Sequence, residues 1–426
     1  MSDHRITELE SGVRIVTEAM PSVRSVSLGY WIGTGSRGED DSQAGLSHLI
    51  EHLLFKGTAR YQSLEIDQIF DGMGAELNAG TGKETTSVYS RVIDEHLDVA
   101  FDVMSEMVFR PRIDDVDSER EVILEEIAMY EDDPQDKVYD VLGEAVFGRH
   151  PLGRSIIGSA DVVARTPIEA IRAFHASRYV ASNVVISAAG AVDHDALVEL
   201  AATRVPNGGR SADAPQAPPA PSGLTPRVVF ERKDTEQYHV CLGGPGIARD
   251  DERRYALRVL DTLFGGTSSS RLFQEVRERR GLAYSVYSYT AQFSDTGQVG
   301  LYLGTRADNL APALEVVAQE LERLQRDPSS NEELERAKEN LKGRIVLSLE
   351  STGARMNRLG SAVLTGMPLL SVDEVVEKID AVDRDTIAEL TAELLDPAKL
   401  STAGIGPDED VFRAALGPLA PEPAGV

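Results

Sequence analysis

The stretch GLSHLIEHLLFKGT, residues 45–58, places two histidines four positions apart, with a glutamate directly before the second one. At about 100° per residue, His48, Glu51 and His52 share one face of a helix. Leucine and isoleucine cover most of the remaining surface, and a helix that is apolar on most sides is a buried one. Two imidazoles and a carboxylate would then lie together inside the protein, where buried polar groups need partners.

The histidine pair allows two interpretations. His48 and His52 could be core histidines bonded to the backbone, with Glu51 an ordinary helix residue. Alternatively, imidazoles at this spacing converge on one tetrahedral ion at about 2.0–2.1 Å per nitrogen, and Glu51 leans toward the same space as a general base. The pattern favours the metal site, but five residues also match by chance, so a third ligand is required.

The helix predicted over DSEREVILEEIAMYEDD, residues 117–133, supplies candidates for that ligand. Its apolar stripe comprises Val122, Ile123, Ile127 and Tyr130. Glu119 and Glu126 fall within this stripe, whereas Glu125 points about 130° away from its centre. A glutamate on a core-facing stripe is costly unless a cation meets it. Glu126 is therefore the predicted third ligand, and Glu119 its supporting partner one shell further out.

Composition restricts the remaining possibilities. The chain has 426 residues and a formal net charge of −27, which argues against nucleic acid or an anionic membrane as partner. The single cysteine, Cys241, excludes an intrachain disulfide, so a metal site must use histidine and carboxylate ligands. The beginning of the sequence has no apolar segment typical of a secretory signal, and the apolar runs are too short to span a bilayer. We expect a cytoplasmic protein.

A segment rich in Pro, Ala, Gly and Ser, residues 207–227, is predicted to be a linker between domains over 1–206 and 228–426. In each half a β-rich run leads into an amphipathic helix and then into a charged helix that contains Glu-Arg. This pattern indicates a degenerate duplication. The predicted fold class is α+β, with two homologous domains that each pack helices on a mostly antiparallel sheet.

The second half lacks the metal-binding residues. Aligning the two Glu-Arg pairs places Lys342 opposite Glu126. Aligning LLFKGT with TLFGGT places three other residues opposite the first motif. Leu257 stands opposite His48, Leu260 opposite Glu51, and Asp261 opposite His52. The second domain is therefore predicted to keep the fold and to bind no metal.

With these motifs the sequence resembles the inverzincin peptidases of the pitrilysin family, and more closely the mitochondrial processing peptidases and their bacterial relatives. The resemblance rests on HLIEH at 48–52, on EREVILEE at 119–126, and on further segments along nearly the whole chain. It implies one Zn²⁺ per chain held by His48, His52 and Glu126. It also implies that Glu51 activates the zinc-bound water for cleavage of peptides or unfolded segments.

Further residues carry roles that the resemblance implies. Asn78 and Ala79 lie in GAELNAGTGKETT, residues 74–86, which corresponds to an edge strand that pairs with extended substrate. Arg277 and Tyr284 correspond to a pair that grips the substrate backbone and stabilises the oxyanion. Ordinary strand and surface roles remain alternatives for all four residues.

The resemblance also suggests an assembly. A two-domain chain of this kind is half of a four-domain clamshell, so a homodimer is expected, or a heterodimer with a paralogue. The second domain of one copy would then complete the site of the other. The glycine-containing segment FGGTSSSRLF, residues 264–273, is too short to imply presequence specificity. A catalytically silent structural subunit is the alternative function, although such relatives have usually lost the ligands.

Overall fold

The computed structural model describes residues 4–206 and 217–419, so the predicted linker lies partly outside the described residues. The strands are β1 His4–Glu8, β2 Arg14–Ala19, β3 Ser25–Ile32, β4 Glu76–Thr81, β5 Thr86–Ile93, β6 Val184–Gly190, β7 Val228–Arg232, β8 Gln237–Gly246, β9 Ser285–Gln292, β10 Gly297–Arg306 and β11 Ser401–Gly406. The α-helices are α1 Leu46–Leu53, α2 Ser63–Met73, α3 Leu97–Phe109, α4 Asp117–Asp132, α5 Pro134–Phe147, α6 Ala160–Arg165, α7 Ile168–Arg178, α8 His194–Arg204, α9 Arg254–Phe264, α10 Ala307–Arg326, α11 Asn331–Ser348, α12 Thr352–Thr365, α13 Val372–Asp380, α14 Arg384–Leu394 and α15 Glu409–Leu416.

The chain forms two compact units, and neither is continuous in sequence. The first unit comprises Met1–Ile127, Ser155–Pro218 and Val346–Val372. The second unit comprises Ala128–Arg154, Pro219–Ile345 and Asp373–Val426. The units follow the predicted halves except that α5 joins the second unit and α12 joins the first. The reason lies in the sheets, because each needs a helix on its second face.

The sheet of the first unit has the strand order β1-β2-β6-β3-β5-β4. Neighbouring strands are antiparallel except for β2 and β6, which are parallel. Strand β6, VVISAAG, is buried along its whole length. A strand that is apolar at consecutive positions is one whose two faces are both covered. This sheet must therefore pack against protein on either side.

Alternate residues of the first sheet enter two different cores. Ile15 and Ile186 belong to the large core on one face, whereas Val16 and Val185 belong to a smaller one on the other. Met356 of α12 contributes to the smaller core, so this helix covers the second face. The approach is close, since a Cβ at Gly360 of α12 would collide with the indole of Trp31 on β3.

The second unit repeats this arrangement. Its sheet has the order β7-β11-β8-β10-β9, again with one parallel pair, β7 and β11. Val138 and Leu142 of α5 form a core with Cys241 of β8, Tyr302 of β10 and Ile405 of β11. The strand order matches that of β2-β6-β3-β5-β4 in the first unit. The predicted α+β fold with two sheet-containing halves is confirmed.

Candidate metal centre

Helix α1 is held in place at its N-terminus. Gly45, which precedes the helix, has φ 102°, a left-handed conformation that favours glycine. The buried carboxylate of Glu39 accepts hydrogen bonds from the backbone N–H groups of Gly45 (2.9 Å) and Ser47 (2.7 Å). These are donors that a helix leaves without internal partners. With Leu49 and Leu53 buried in the core, the orientation of the histidine face is fixed.

Three side chains from α1 and α4 converge at one point. Nε2 of His48 lies 3.8 Å from Oε2 of Glu126, and Nε2 of His52 lies 3.5 Å from the same oxygen. One ligand atom from each of the three residues can be chosen so that all lie within 4.8 Å of one another. Ligands about 2.0–2.1 Å from a tetrahedral zinc ion are separated by about 3.4 Å. The predicted residues are therefore brought together at nearly that spacing.

Helix α4 presents its glutamates as the helical period predicts. Glu119 is buried, with 5% of its side chain exposed, while Glu126 is half-buried beside the histidines and Glu125 is exposed. Ile123 faces the core. The predicted apolar stripe was wrong in one member, because Val122 is 50% exposed. The inward face of α4 is centred closer to Glu119 and Ile123 than the stripe suggested.

Glu119 supports the second histidine. Its Oε2 lies 3.4 Å from Nδ1 of His52, and its Oε1 lies 2.6 Å from Nζ of Lys56. Accepting a hydrogen bond from Nδ1–H places the lone pair of His52 on Nε2, which faces Glu126. Lys56 supplies a positive charge that offsets the buried carboxylate. Lys56 was not predicted from the sequence, because it lies in the turn that follows the end of α1 at Leu53, where the helical period does not apply.

Glu51 lies beside the cluster and contacts a neighbouring strand. The hydroxyl of Thr81, at the end of β4, donates a hydrogen bond to Oε2 of Glu51. Burial raises the pKa of Glu51, and the Thr81 bond opposes part of that effect. A carboxyl group shifted in this direction is suited to accept and return a proton near neutral pH. Thr81 could not be singled out from the sequence, because its role depends on how β4 packs beside α1.

The donor set suits a zinc ion. Burial, with a smaller contribution from the neighbouring His52, lowers the pKa of His48 to about 4, so the imidazole is neutral and able to coordinate at neutral pH. The buried Nδ1 of His48 has no hydrogen-bond partner among the described residues. Two imidazole nitrogens and one carboxylate oxygen form the three-ligand set of catalytic zinc sites, which leave one position open. The residues present therefore fit zinc.

The predicted substrate-binding residues lie on two elements. Asn78 and Ala79 are on β4, an edge strand whose one pairing within the described sheet is to β5. The side chain of Asn78 accepts a hydrogen bond from the N–H of Ala79 (2.8 Å). In the second unit, Cζ of Arg277 lies 4.4 Å from the ring centroid of Tyr284, which is 76% exposed. The structure brings Arg277 and Tyr284 together as a cation–π pair.

The second unit has no corresponding metal site among the described residues. Lys338 of α11 donates to the carbonyl of Asp380 at the end of α13 (3.1 Å), as Arg120 of α4 donates to carbonyls at the end of α6. An offset of 218 residues pairs Arg120 with Lys338, and it also pairs the buried Glu119 and Ile123 of α4 with the buried Ala337 and Leu341 of α11. The same offset pairs Glu126 of α4 with Arg344 of α11. The sequence alignment that paired Glu126 with Lys342 was two residues out of register.

Comparison with known proteins gives consistent results. The model of the insulinase family, peptidase family M16, matches residues 14–160. The model of the peptidase M16 inactive domain matches residues 167–341. A Streptomyces coelicolor protein named an uncharacterized zinc protease is 43% identical over 97% of this chain and 91% of its own length. A Bacillus subtilis protein of the same description is 40% identical over 90% of this chain and 94% of its own.

Solved structures show the same fold. A protease from Helicobacter pylori has a TM-score of 0.89 and 22% identity, covering 95% of this chain and 100% of its own. A peptidase M16 inactive domain from Pseudomonas fluorescens has a TM-score of 0.85 and 22% identity, covering 95% of this chain and 98% of its own. Among the described helices none is both long enough and apolar enough to cross a membrane.

Proposed function

Because the chain belongs to peptidase family M16, we propose that it is a zinc-dependent endopeptidase that cleaves peptides or unfolded polypeptide segments. The observation that carries the proposal is the convergence of His48, His52 and Glu126, with Glu51 beside them. His48 and His52 would each hold the ion through Nε2, and Glu126 through its carboxylate. The relatives named zinc proteases support the same metal.

The proposed chemistry divides between metal and protein. When bound, zinc would lower the pKa of water and polarise the scissile carbonyl. Glu51 accepts a proton from water at the carboxylate oxygen that Thr81 leaves free, and then delivers it to the leaving amine nitrogen. The hydrogen bond from Thr81 holds the carboxylate in one rotamer during both transfers. Glu119 keeps His52 in the tautomer that coordinates.

Substrate would be held mainly through its backbone. The free edge of β4 can pair with an extended peptide, so Asn78 and Ala79 are proposed contacts. Such pairing gives affinity with little dependence on sequence. Arg277 and Tyr284 are proposed to bind the substrate backbone and to stabilise the developing oxyanion. We propose that these two residues act in a homodimer, or in a heterodimer with a paralogue.

The decisive variant is Glu51→Gln, which removes the base but no metal ligand. We expect about one zinc per chain, as in the wild type, and loss of peptide hydrolysis by a factor of at least about 100. The matched control is Glu169→Gln on the exposed surface of α7, which should change neither quantity. Metal analysis and cleavage of an unfolded peptide library give the two readouts. Full hydrolysis by Glu51→Gln would refute the mechanism.

The alternative is a catalytically silent structural subunit. A structural neighbour described as an inactive domain gives this possibility some support. Against it, the three predicted ligands and the base are all present and close together. The alternative predicts that zinc-loaded wild-type protein cleaves no member of the peptide library, an outcome that would replace the proposal.

A further inference from the structure

Arg37 is one of the largest fully buried side chains of the described residues, and the proposed chemistry leaves it without a role. Its Nη1 donates a hydrogen bond to Oε1 of Glu84 (2.8 Å). Its Nε and Nη2 both donate to the carbonyl of Pro218 (3.3 and 2.9 Å). A buried charge that loses a partner destabilises a protein strongly, so these contacts hold the segments that carry them in one arrangement.

The carboxylate partner of Arg37 lies in the turn that joins β4 to β5, and the backbone around Arg37 holds the same turn. The N–H of Ser36 donates to the carbonyl of Gly82 (3.1 Å), and the N–H of Arg37 donates to the carbonyl of Lys83 (2.7 Å). Gly35 allows this close approach, because a Cβ there would lie 2.4 Å from the carbonyl oxygen of Gly82. Backbone and side chain together therefore fix the turn.

Both ends of this turn are linked to the candidate site or to the same segment. Thr81, the last residue of β4, donates its hydroxyl hydrogen bond to Glu51. Thr86, the first residue of β5, donates to the carbonyl of Thr34 (3.1 Å). A shift of the turn would therefore move the hydroxyl that holds the carboxylate of Glu51.

The other side of that contact is set from the same place. Glu39 accepts hydrogen bonds from two N–H groups at the beginning of α1, and α1 carries Glu51. Residues 34–39 thus hold both the turn that follows Thr81 and the helix that carries Glu51. Proton transfer is sensitive to displacements of about 1 Å, so this shared support affects the rate of the reaction as well as the stability of the fold.

We infer that Arg37 is a positioning residue for the proposed base: it fixes the β4–β5 turn so that Thr81 holds the carboxylate of Glu51 in the orientation that accepts a proton. The inference rests on the proposed peptidase function and adds a residue to it. A guanidinium suits the task, because its planar fork of donors reaches acceptors on two segments at once, whereas the compact ammonium group of lysine does not reproduce that geometry.

The first test is a double-mutant cycle on kcat. Zinc-loaded full-length protein cleaves an internally quenched peptide whose sequence is taken from a cleaved member of the peptide library. Arg37→Lys and Thr81→Val are each expected to lower kcat about 10- to 100-fold, with KM changed less than about threefold. Because Arg37 acts through Thr81, the double variant should have a kcat within about threefold of the slower single variant.

The matched control is Arg355→Lys on α12 of the same unit. Arg355 also pairs with a buried carboxylate, that of Glu18, and with a backbone carbonyl, that of Leu349 (2.5 Å). This control should change kcat less than about twofold, and its effect should multiply with that of Thr81→Val. If Arg37→Lys does not fold, Glu84→Gln replaces it in the cycle, since it weakens the same ion pair from the other side.

A second measurement requires no cleavage. Hydrogen exchange of the Ser36 amide, which donates to the turn, reports whether the turn stays in place. We expect Arg37→Lys to speed this exchange at least about fivefold, and Glu84→Gln to speed it less. Arg355→Lys should leave the rate unchanged, because its contacts lie elsewhere in the unit.

Two results would overturn the inference while the proposed function stands. One is a pair of effects on kcat that multiply when Arg37→Lys and Thr81→Val are combined, because Arg37 would then act independently of Thr81. The other is an unchanged exchange rate in Arg37→Lys. A wild-type protein that cleaves no peptide would instead refute the proposed function, and with it this role of Arg37.

Discussion

Helices α1 and α4 of the first unit and helices α9 and α11 of the second unit come at corresponding points along the chain, in units whose sheets have the same strand order. What they keep in common is structural: Arg120 and Lys338 both hold backbone carbonyls of a following helix. What differs is the charge at one helical position, Glu126 against Arg344. A fold can thus retain its buried and anchoring residues while the charge at one helical position changes sign.

The largest effect should come from removing the third ligand. We expect Glu126→Ala to lower zinc affinity by about 1000-fold or more, because two imidazoles alone complete less of the coordination sphere. Glu125→Ala, one position along and exposed, should retain zinc. Competition with a metal chelator measures both affinities. If zinc is lost from Glu125→Ala alone, the assignment of the inward face of α4 is wrong.

The close packing of α12 can be tested by comparing two helix glycines, one on α12 and one on α11. Gly360→Ala places a Cβ against the Trp31 indole, and we expect the free energy of unfolding to fall by about 2–3 kcal/mol. Gly343→Ala on α11, where a Cβ would meet nothing within 4 Å, should raise it by about 0.5–1 kcal/mol. Urea denaturation measures both variants. Equal stability of Gly360→Ala and the wild type would contradict the close packing of α12.

The residue behind the metal ligand should have a smaller effect. Glu119→Gln keeps the shape of the side chain but weakens the charged contact with His52, and we expect zinc affinity to fall about 10- to 100-fold. Glu121→Gln, exposed on the same helix, is the matched control. An unchanged zinc affinity in Glu119→Gln would mean that Glu119 pairs with Lys56 but does not support zinc binding through His52.

A pH effect is expected from the core of the first unit. His175 is buried, with Nε2 2.9 Å from the carbonyl of Val108, and burial lowers its pKa to about 4. The unfolded chain takes up this proton near pH 6.5, so stability falls as the pH drops from about 6.5 to about 4. The loss is at most about 3.4 kcal/mol for this group. His175→Gln should flatten that part of the pH profile when the free energy of unfolding is measured by urea denaturation, and an unchanged slope would contradict this role of His175.

The sequence was informative where spacing alone determines geometry. Residues on one helix, such as His48, Glu51 and His52, could be placed together from the helical period. The same period separated Glu126 from Glu125, as the structure places them. The resemblance to pitrilysin-family peptidases is confirmed by family M16 models over both halves and by relatives named zinc proteases. The two sheet-containing halves followed from the repeated order of a β-rich run, an amphipathic helix and a charged helix.

Features that depend on packing between distant segments could not be predicted. The contact of Thr81 with Glu51 requires the position of β4 beside α1. The exchange of α5 and α12 depends on which sheet face lacks cover, and local periodicity does not carry that information. The register between α4 and α11 was misjudged because the Glu-Arg pairs are similar in letters, whereas burial and the carbonyl contacts of Arg120 and Lys338 align different residues.

The most direct test of a zinc site confined to the first unit is anomalous diffraction at the zinc absorption edge from crystals of the wild-type protein. We predict one zinc ion per chain, coordinated by Nε2 of His48, Nε2 of His52 and the carboxylate of Glu126 at about 2.0–2.2 Å. We predict no anomalous peak near Asp261 and Arg344. A peak in the second unit, or an ion in the first unit that Glu126 does not bind, would contradict this account.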